Sequence, residues 1–151
     1  MPNSKPSDAT LRLIVESYQR LTGQQLIPVV PTDAAQLRAA LWAAPRAIVA
    51  HGTEADPIFF YGNRAALQWF EMSEEEFARL PSRLSAEPMA QEARVKLLEK
   101  VTKQGYVDGY SGMRIAKSGR RFMITDTTVW NLLDDAGGYH GQAAVFVRGV
   151  D

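Results

Sequence analysis

The last third of the chain sets the tightest limit on its fold. Three strand-like segments, "YVDGYSGMRIAK", "RRFMITDTTVWNLL" and "YHGQAAVFVRG", follow one another. The pieces between them, "SG" and "DDAGG", are turn material and too short for a crossover. Parallel neighbours need a connection of a dozen residues or more, so these three must run antiparallel as a meander. Their apolar side chains fall at both parities, Phe122, Ile124, Trp130 and Leu132 on one face and Met123, Val129 and Leu133 on the other. A sheet with one wet face alternates more cleanly. A covering layer is therefore expected outside it, either an N-terminal helix or a second subunit.

Upstream, "SDATLRLIVESYQRLTGQQL" places Leu11, Ile14, Val15, Tyr18 and Leu21 at helical spacing, with Ser7 or Asp8 as cap and Gly23 as stop. "IPVVP" bars continuation, and Thr32 or Asp33 caps a second helix through "AAQLRAALWAAP", closed by Pro45. Residues 1–45 thus read as a helical extension and 46–151 as the main domain. "AIVAHG" and "PIFFYG" read as paired strands joined by "TEAD". Asn63 ends the second and caps a helix with Ala66, Leu67 and Phe70 as its apolar stripe. "MSEEEFARLP" carries the capping-box spacing Ser73–Glu76 before Pro81. "QEARVKLLEKVTKQG" is a longer helix, expected to turn Val95, Leu98 and Val101 inward and to end at Gly105.

Composition removes several kinds of chemistry. With 17 basic and 17 acidic residues, the chain has no bulk attraction for nucleic acid or anionic lipid. The absence of cysteine excludes disulfides, thiolate catalysis and Cys-ligated metal. "MPNSKPSDAT" lacks the apolar core of a signal peptide, and no apolar run approaches the ~18 residues of a membrane helix. A cytoplasmic protein with no membrane or nucleic-acid partner is expected.

Two strands, a block of helices and a three-stranded meander is the order of PAS domains. The segments "ADPIFFYGNRAALQWFEMSEEEF", "LPSRLSAEP", "GYSGMRIAKSGRRF", "TVWNLLDDAG" and "GQAAVF", with "SYQRLTG" near the start, resemble the MEKHLA domain proteins, specifically the short bacterial stand-alone type. The six-letter string that names the family in its plant members is absent. The resemblance implies an α+β fold, a PAS-like five-stranded antiparallel sheet with helices on one face, preceded by the N-terminal helical extension. It also implies a sensing or interaction role and supplies no catalytic residue.

Within that frame no cofactor is expected. A flavin photosensor of the superfamily needs a cysteine, and a haem sensor needs a ligand such as histidine on the helix Gln91 to Gln104, which has none. His51 and His140 read as exposed or capping residues. A candidate ligand-binding set comprises the aromatics Phe60, Trp69, Tyr106, Tyr110 and Trp130, with Met113 and the polar Asn63, Arg83, Arg114, Asp126 and Gln142 on the same segments. Arg83, between prolines, is expected to lock to Glu87 or Asp126, or to wait for an anionic ligand. The leading expectation is a non-catalytic module binding a small ligand or a partner protein, and a homodimer through the N-terminal helix or the outer sheet face. The alternative is a small enzyme or carrier acting on a small acidic molecule with Arg83 or Arg114 as anion clamp. A constellation of Asp126, His140 and one of Ser82, Ser85 or Ser111 is the acid–base version of that alternative.

Overall fold

The computed structural model describes residues 6–86 and 91–149. Helix α1 (Asp8–Thr22) starts where Ser7 Oγ accepts from the Thr10 amide and stops at Gly23, whose φ of 73° is the left-handed turn that glycine adopts without strain. Asp33 caps α2 (Ala34–Ala43) by accepting from the Gln36 amide. Strands β1 (Ala47–His51) and β2 (Phe59–Gly62) lead into α3 (Arg64–Phe70) and the one-turn α4 (Glu74–Phe77), where Ser73 and Glu76 form the capping box. A 3-10 turn, Ser82–Ser85, precedes α5 (Gln91–Gln104), and β3 (Tyr106–Ile115), β4 (Arg121–Leu133) and β5 (Tyr139–Arg148) complete the chain.

All pairings are antiparallel, and the strand order is β2-β1-β5-β4-β3. The chain-terminal strand β5 therefore sits at the centre, between β1 and β4. Helices α3, α4 and α5 cover one face. On the other lies α1, whose Leu11, Ile14, Val15 and Tyr18 pack with Ile48, Trp130, Leu132 and Val145. The Trp130 indole donates to Ser17 Oγ at 3.1 Å, and the Tyr18 ring meets its ring edge-on at 4.8 Å. Of the two expected covers for the outer face, the chain supplies the helix. The apolar stripe proposed for a homodimer contact is thus buried inside the chain, and α1 keeps no such stripe for a second subunit.

The junction at Asn63 is a four-way anchor. Its Oδ1 accepts from the Ala66 amide at 3.1 Å, the expected helix cap, and also from the Ile48 amide at 3.0 Å. Its Nδ2 donates to Leu41 O at 3.1 Å and Arg46 O at 2.9 Å. One buried amide thereby ties α2, β1 and α3 together. Gly62 beside it is required by contact, since a Cβ there would come within 2.7 Å of the Phe77 ring.

Two expectations about facing are corrected. Register slips between Thr125 and Thr128, where Asp126 has φ 49° and points to solvent. This bulge reverses parity along β4. Phe122 and Ile124 before it face α3, whereas Trp130 and Leu132 after it face α1, so the four do not share a face. Thr127 and Val129 join Ile124 instead. On α5, Val95 is 48% exposed, and the inward stripe is Arg94, Leu97 and Val101 with Leu98 half-buried. The GYSG stretch is a strand irregularity, with register shifts on both sides of Tyr110.

Candidate functional site

Between the centre of the sheet and α5 lies a cavity of about 70 Å³. Val49, Phe59, Phe70, Leu97, Ile124, Val129 and Phe146 form most of its wall. Into the same space the 3-10 turn brings Ser82 and Ser85, α5 brings Arg94, β3 brings Arg114, β4 brings Thr127, and β1 and β5 bring His51 and Gln142. The seven polar residues come from six elements, and four of them, His51, Arg114, Thr127 and Gln142, lie on strands of the sheet.

Arg94 and Arg114 are each only 8% exposed. Arg94 Nη2 donates to Ser82 Oγ, and Arg114 Nη1 donates to Met113 O at 2.8 Å while its guanidinium lies 5.7 Å from the Tyr110 ring centre. Among the described residues neither forms an ion pair with a carboxylate. Burial pushes the Arg94 guanidinium below the usual arginine value, and the like charge of Arg114 adds to that.

A buried polar chain also borders the cavity. His51 Nε2 lies 3.2 Å from Gln142 Oε1, and Gln142 Nε2 donates to Asn131 Oδ1 at 3.1 Å and Thr102 Oγ1 at 3.2 Å. Asn131 Nδ2 donates in turn to Val101 O at 3.1 Å. Burial first, and the Arg94 charge second, lower the His51 pKa from 6.5 to about 4. The unfolded chain then binds a proton between those values that the folded chain refuses. Stability is therefore complete above pH 6.5 and falls as the pH drops towards 4, by on the order of 3 kcal/mol. Urea midpoints measured from pH 7 to pH 4.5 are expected to fall less steeply in His51→Gln than in the wild type. Parallel curves would mean that His51 takes no part.

The residues singled out from sequence divide clearly. Arg114 and Gln142 line the cavity. Phe60, Tyr106 and Trp130 belong to the layer under α1, on the opposite face. Trp69 packs 6.0 Å from the Phe146 ring, Tyr110 lies half-buried beneath Arg114, and Asn63 is occupied by its four hydrogen bonds. Met113 is 42% exposed, and Asp126 is the exposed residue of the bulge.

Arg83 is not the buried arginine. It lies at the surface, where Nε donates to both oxygens of Asp56 at 3.1 and 3.2 Å. Asp126 is not its partner, and Glu87 lies outside the described residues. An exposed pair of this kind contributes about 0–1 kcal/mol. Arg83→Met is accordingly expected to move the melting temperature by no more than about 4 °C, and a loss of several kcal/mol would return Arg83 to the interior.

Sequence reading missed Arg94 and Thr127, named Ser82 and Ser85 only for an acid–base constellation, and read His51 as exposed or capping, whereas it is buried against Gln142. A signal for Arg94 existed, because residues 94, 97, 98 and 101 keep helical spacing better than 95, 98 and 101 do. The acid–base constellation is not assembled: Ser82 and Ser85 are buried near α5, Asp126 is exposed, and His140 pairs with Asp134 at 2.8 Å beside the β4–β5 turn.

The sheet order and the helical layer are those of PAS domains, and solved structures agree. The PAS domain of a protein from Colwellia psychrerythraea superposes with a TM-score of 0.66 at 18% identity, over 78% of this chain and 98% of its own. A light-oxygen-voltage domain solved in a flavin-analogue study gives 0.64 at 17% identity, over 78% and 86%. The MEKHLA domain model matches residues 8–149, both N-terminal helices included, and the chain belongs to that family. The homeobox-leucine zipper protein HOX10 of Oryza sativa subsp. indica is 31% identical over 145 residues, 95% of this chain and 17% of that protein. ATHB-14 of Arabidopsis thaliana is 26% identical over 151 residues, 98% and 18%. The chain thus spans less than a fifth of these relatives.

A flavin does not fit here. The cavity is well below the roughly 300–1,000 Å³ of pockets that take drug-sized ligands, and the chain has no cysteine to react with one. Among the described residues no group of three His, Asp or Glu side chains is placed to hold a metal, and no helix is long and apolar enough to cross a membrane.

Proposed function

We propose that this MEKHLA domain is a non-catalytic sensory module that takes up a small molecule between its sheet and α5 and passes its state on by association. The carrying observation is the cavity, apolar along most of its wall with seven polar side chains converging on it from six elements. Those side chains include two guanidiniums that no carboxylate neutralises among the described residues, an arrangement that stability alone does not favour.

A partner protein or a second copy is the other half of this reading. With the stripe of α1 occupied, such a contact must use other surface, and a homodimer would join elsewhere. Native mass spectrometry of freshly purified protein tests both halves at once. A bound small mass, or a change in subunit stoichiometry on adding a cavity ligand, supports the proposal. A monomer that carries nothing and stabilises with no member of a small-molecule panel would end it.

A further inference from the structure

We infer that Arg94 and Arg114 together form an anion-binding end of the cavity, and that the ligand is a short-chain carboxylate. The inference rests on the ligand-binding reading and narrows it to one chemical class.

Two unmatched cations share one buried space. A guanidinium has five N–H donors and no acceptor. In the described structure Arg94 uses one on Ser82 Oγ, and Arg114 uses one on Met113 O. Asp56, the carboxylate whose charge reaches Arg94, is already held by both its oxygens on Arg83. Each buried charge is unfavourable alone, and each raises the cost of the other. An anion placed between them relieves both, and a carboxylate presents two oxygens in the plane that the guanidinium fork is shaped to meet.

The remainder of the wall selects among anions. Phosphate and sulfate carry oxygens on every side and need donors all round. Here the charged donors are the two arginines, with the Ser82 hydroxyl bonded to Arg94, while Phe70, Leu97, Ile124 and Phe146 supply apolar wall for a tail. A volume of about 70 Å³ holds roughly five water-sized spheres, which suits an acid of two to four carbons. Arg94 reached this place because it occupies the inward stripe of α5, whose apolar members Leu97 and Val101 hold the helix against the sheet.

The test compares propionate with propionamide, its uncharged isostere, by calorimetry and thermal shift on the full chain, with inorganic phosphate as a third probe. Propionate is expected to bind and to raise the melting temperature, with propionamide at least tenfold weaker. Arg94→Gln and Arg114→Gln, on opposite walls, are each expected to lose at least tenfold in propionate affinity, and Arg94→Lys to lose less than Arg94→Gln. If one glutamine variant fails to fold, the other and the propionate–propionamide ratio on unaltered protein still decide. Equal binding of propionate and propionamide, tighter binding of phosphate, or full affinity in a folded glutamine variant would overturn the inference. Binding of uncharged molecules in the cavity without any carboxylate would overturn it and leave the sensory reading intact. Binding of neither class, with no small mass on the purified protein, would remove both.

Discussion

Asn63→Ala is expected to lower the free energy of unfolding by roughly 4 kcal/mol or more. Loss of a helix cap alone costs about 1–2 kcal/mol. Here the same side chain also receives the Ile48 amide and serves the carbonyls of Leu41 and Arg46, all at a fully buried site. Alanine removes this partner from the Ile48 amide and the Arg46 carbonyl and leaves Leu41 O only the Ala44 amide at 3.4 Å, and a buried group left unsatisfied costs about 1–3 kcal/mol. Against a total of roughly 5–15 kcal/mol for an ordinary domain, the variant should sit close to unfolding at room temperature. Urea titration measures it directly. A loss no larger than that of an isolated cap would mean that water or a shifted backbone serves the other groups.

The second large effect is removal of the N-terminal helices. A chain beginning at Arg46 is expected not to fold. Leu11, Ile14, Val15 and Tyr18 are each at most 3% exposed, and together they cover Trp130, Leu132, Ile48 and Val145. At about 1.5–3 kcal/mol for each fully buried side chain, these four contribute roughly 6–12 kcal/mol as an upper estimate. That is comparable with the whole stability of a domain this size. The Trp130 indole would also lose Ser17. Circular dichroism and amide exchange of the shortened chain are expected to show a loose, aggregation-prone state. A cooperative melt near that of the full chain would show that α1 and α2 are an accessory.

These two results locate what could be read in advance. The cap at Asn63 was legible because N-cap preference is local, and the strand formers "PIFFYG" stop just before it. Its three further bonds were not, because Leu41, Arg46 and Ile48 are brought to it by tertiary folding. The covered outer face was legible from apolar residues at both parities, but not which layer covered it. For the site, Arg114 and Gln142 were named, but the adjacent Met113 was named with Arg114, and only the folded strand shows that Arg114 is buried and Met113 exposed. Arg94 was hidden because a positive charge on an apolar stripe argues against burial, so the helix was rotated by one residue in the reading. Phe60, Tyr106 and Trp130 are well buried or half-buried as aromatics, yet composition does not say which side of a sheet they occupy.

The irregularity at Asp126 gives β4 something like punctuation in a message read two letters at a time. Ahead of it one phase addresses the cavity side; after it the opposite phase does, so Thr127, Val129 and Asn131 speak to α5 while Trp130 and Leu132 speak to α1. The length of this strand therefore carries meaning separate from its composition. Dropping a single letter beyond the punctuation would send the indole of Trp130 into the space of the arginines and the amide of Asn131 into hydrocarbon, even though every residue type had been kept.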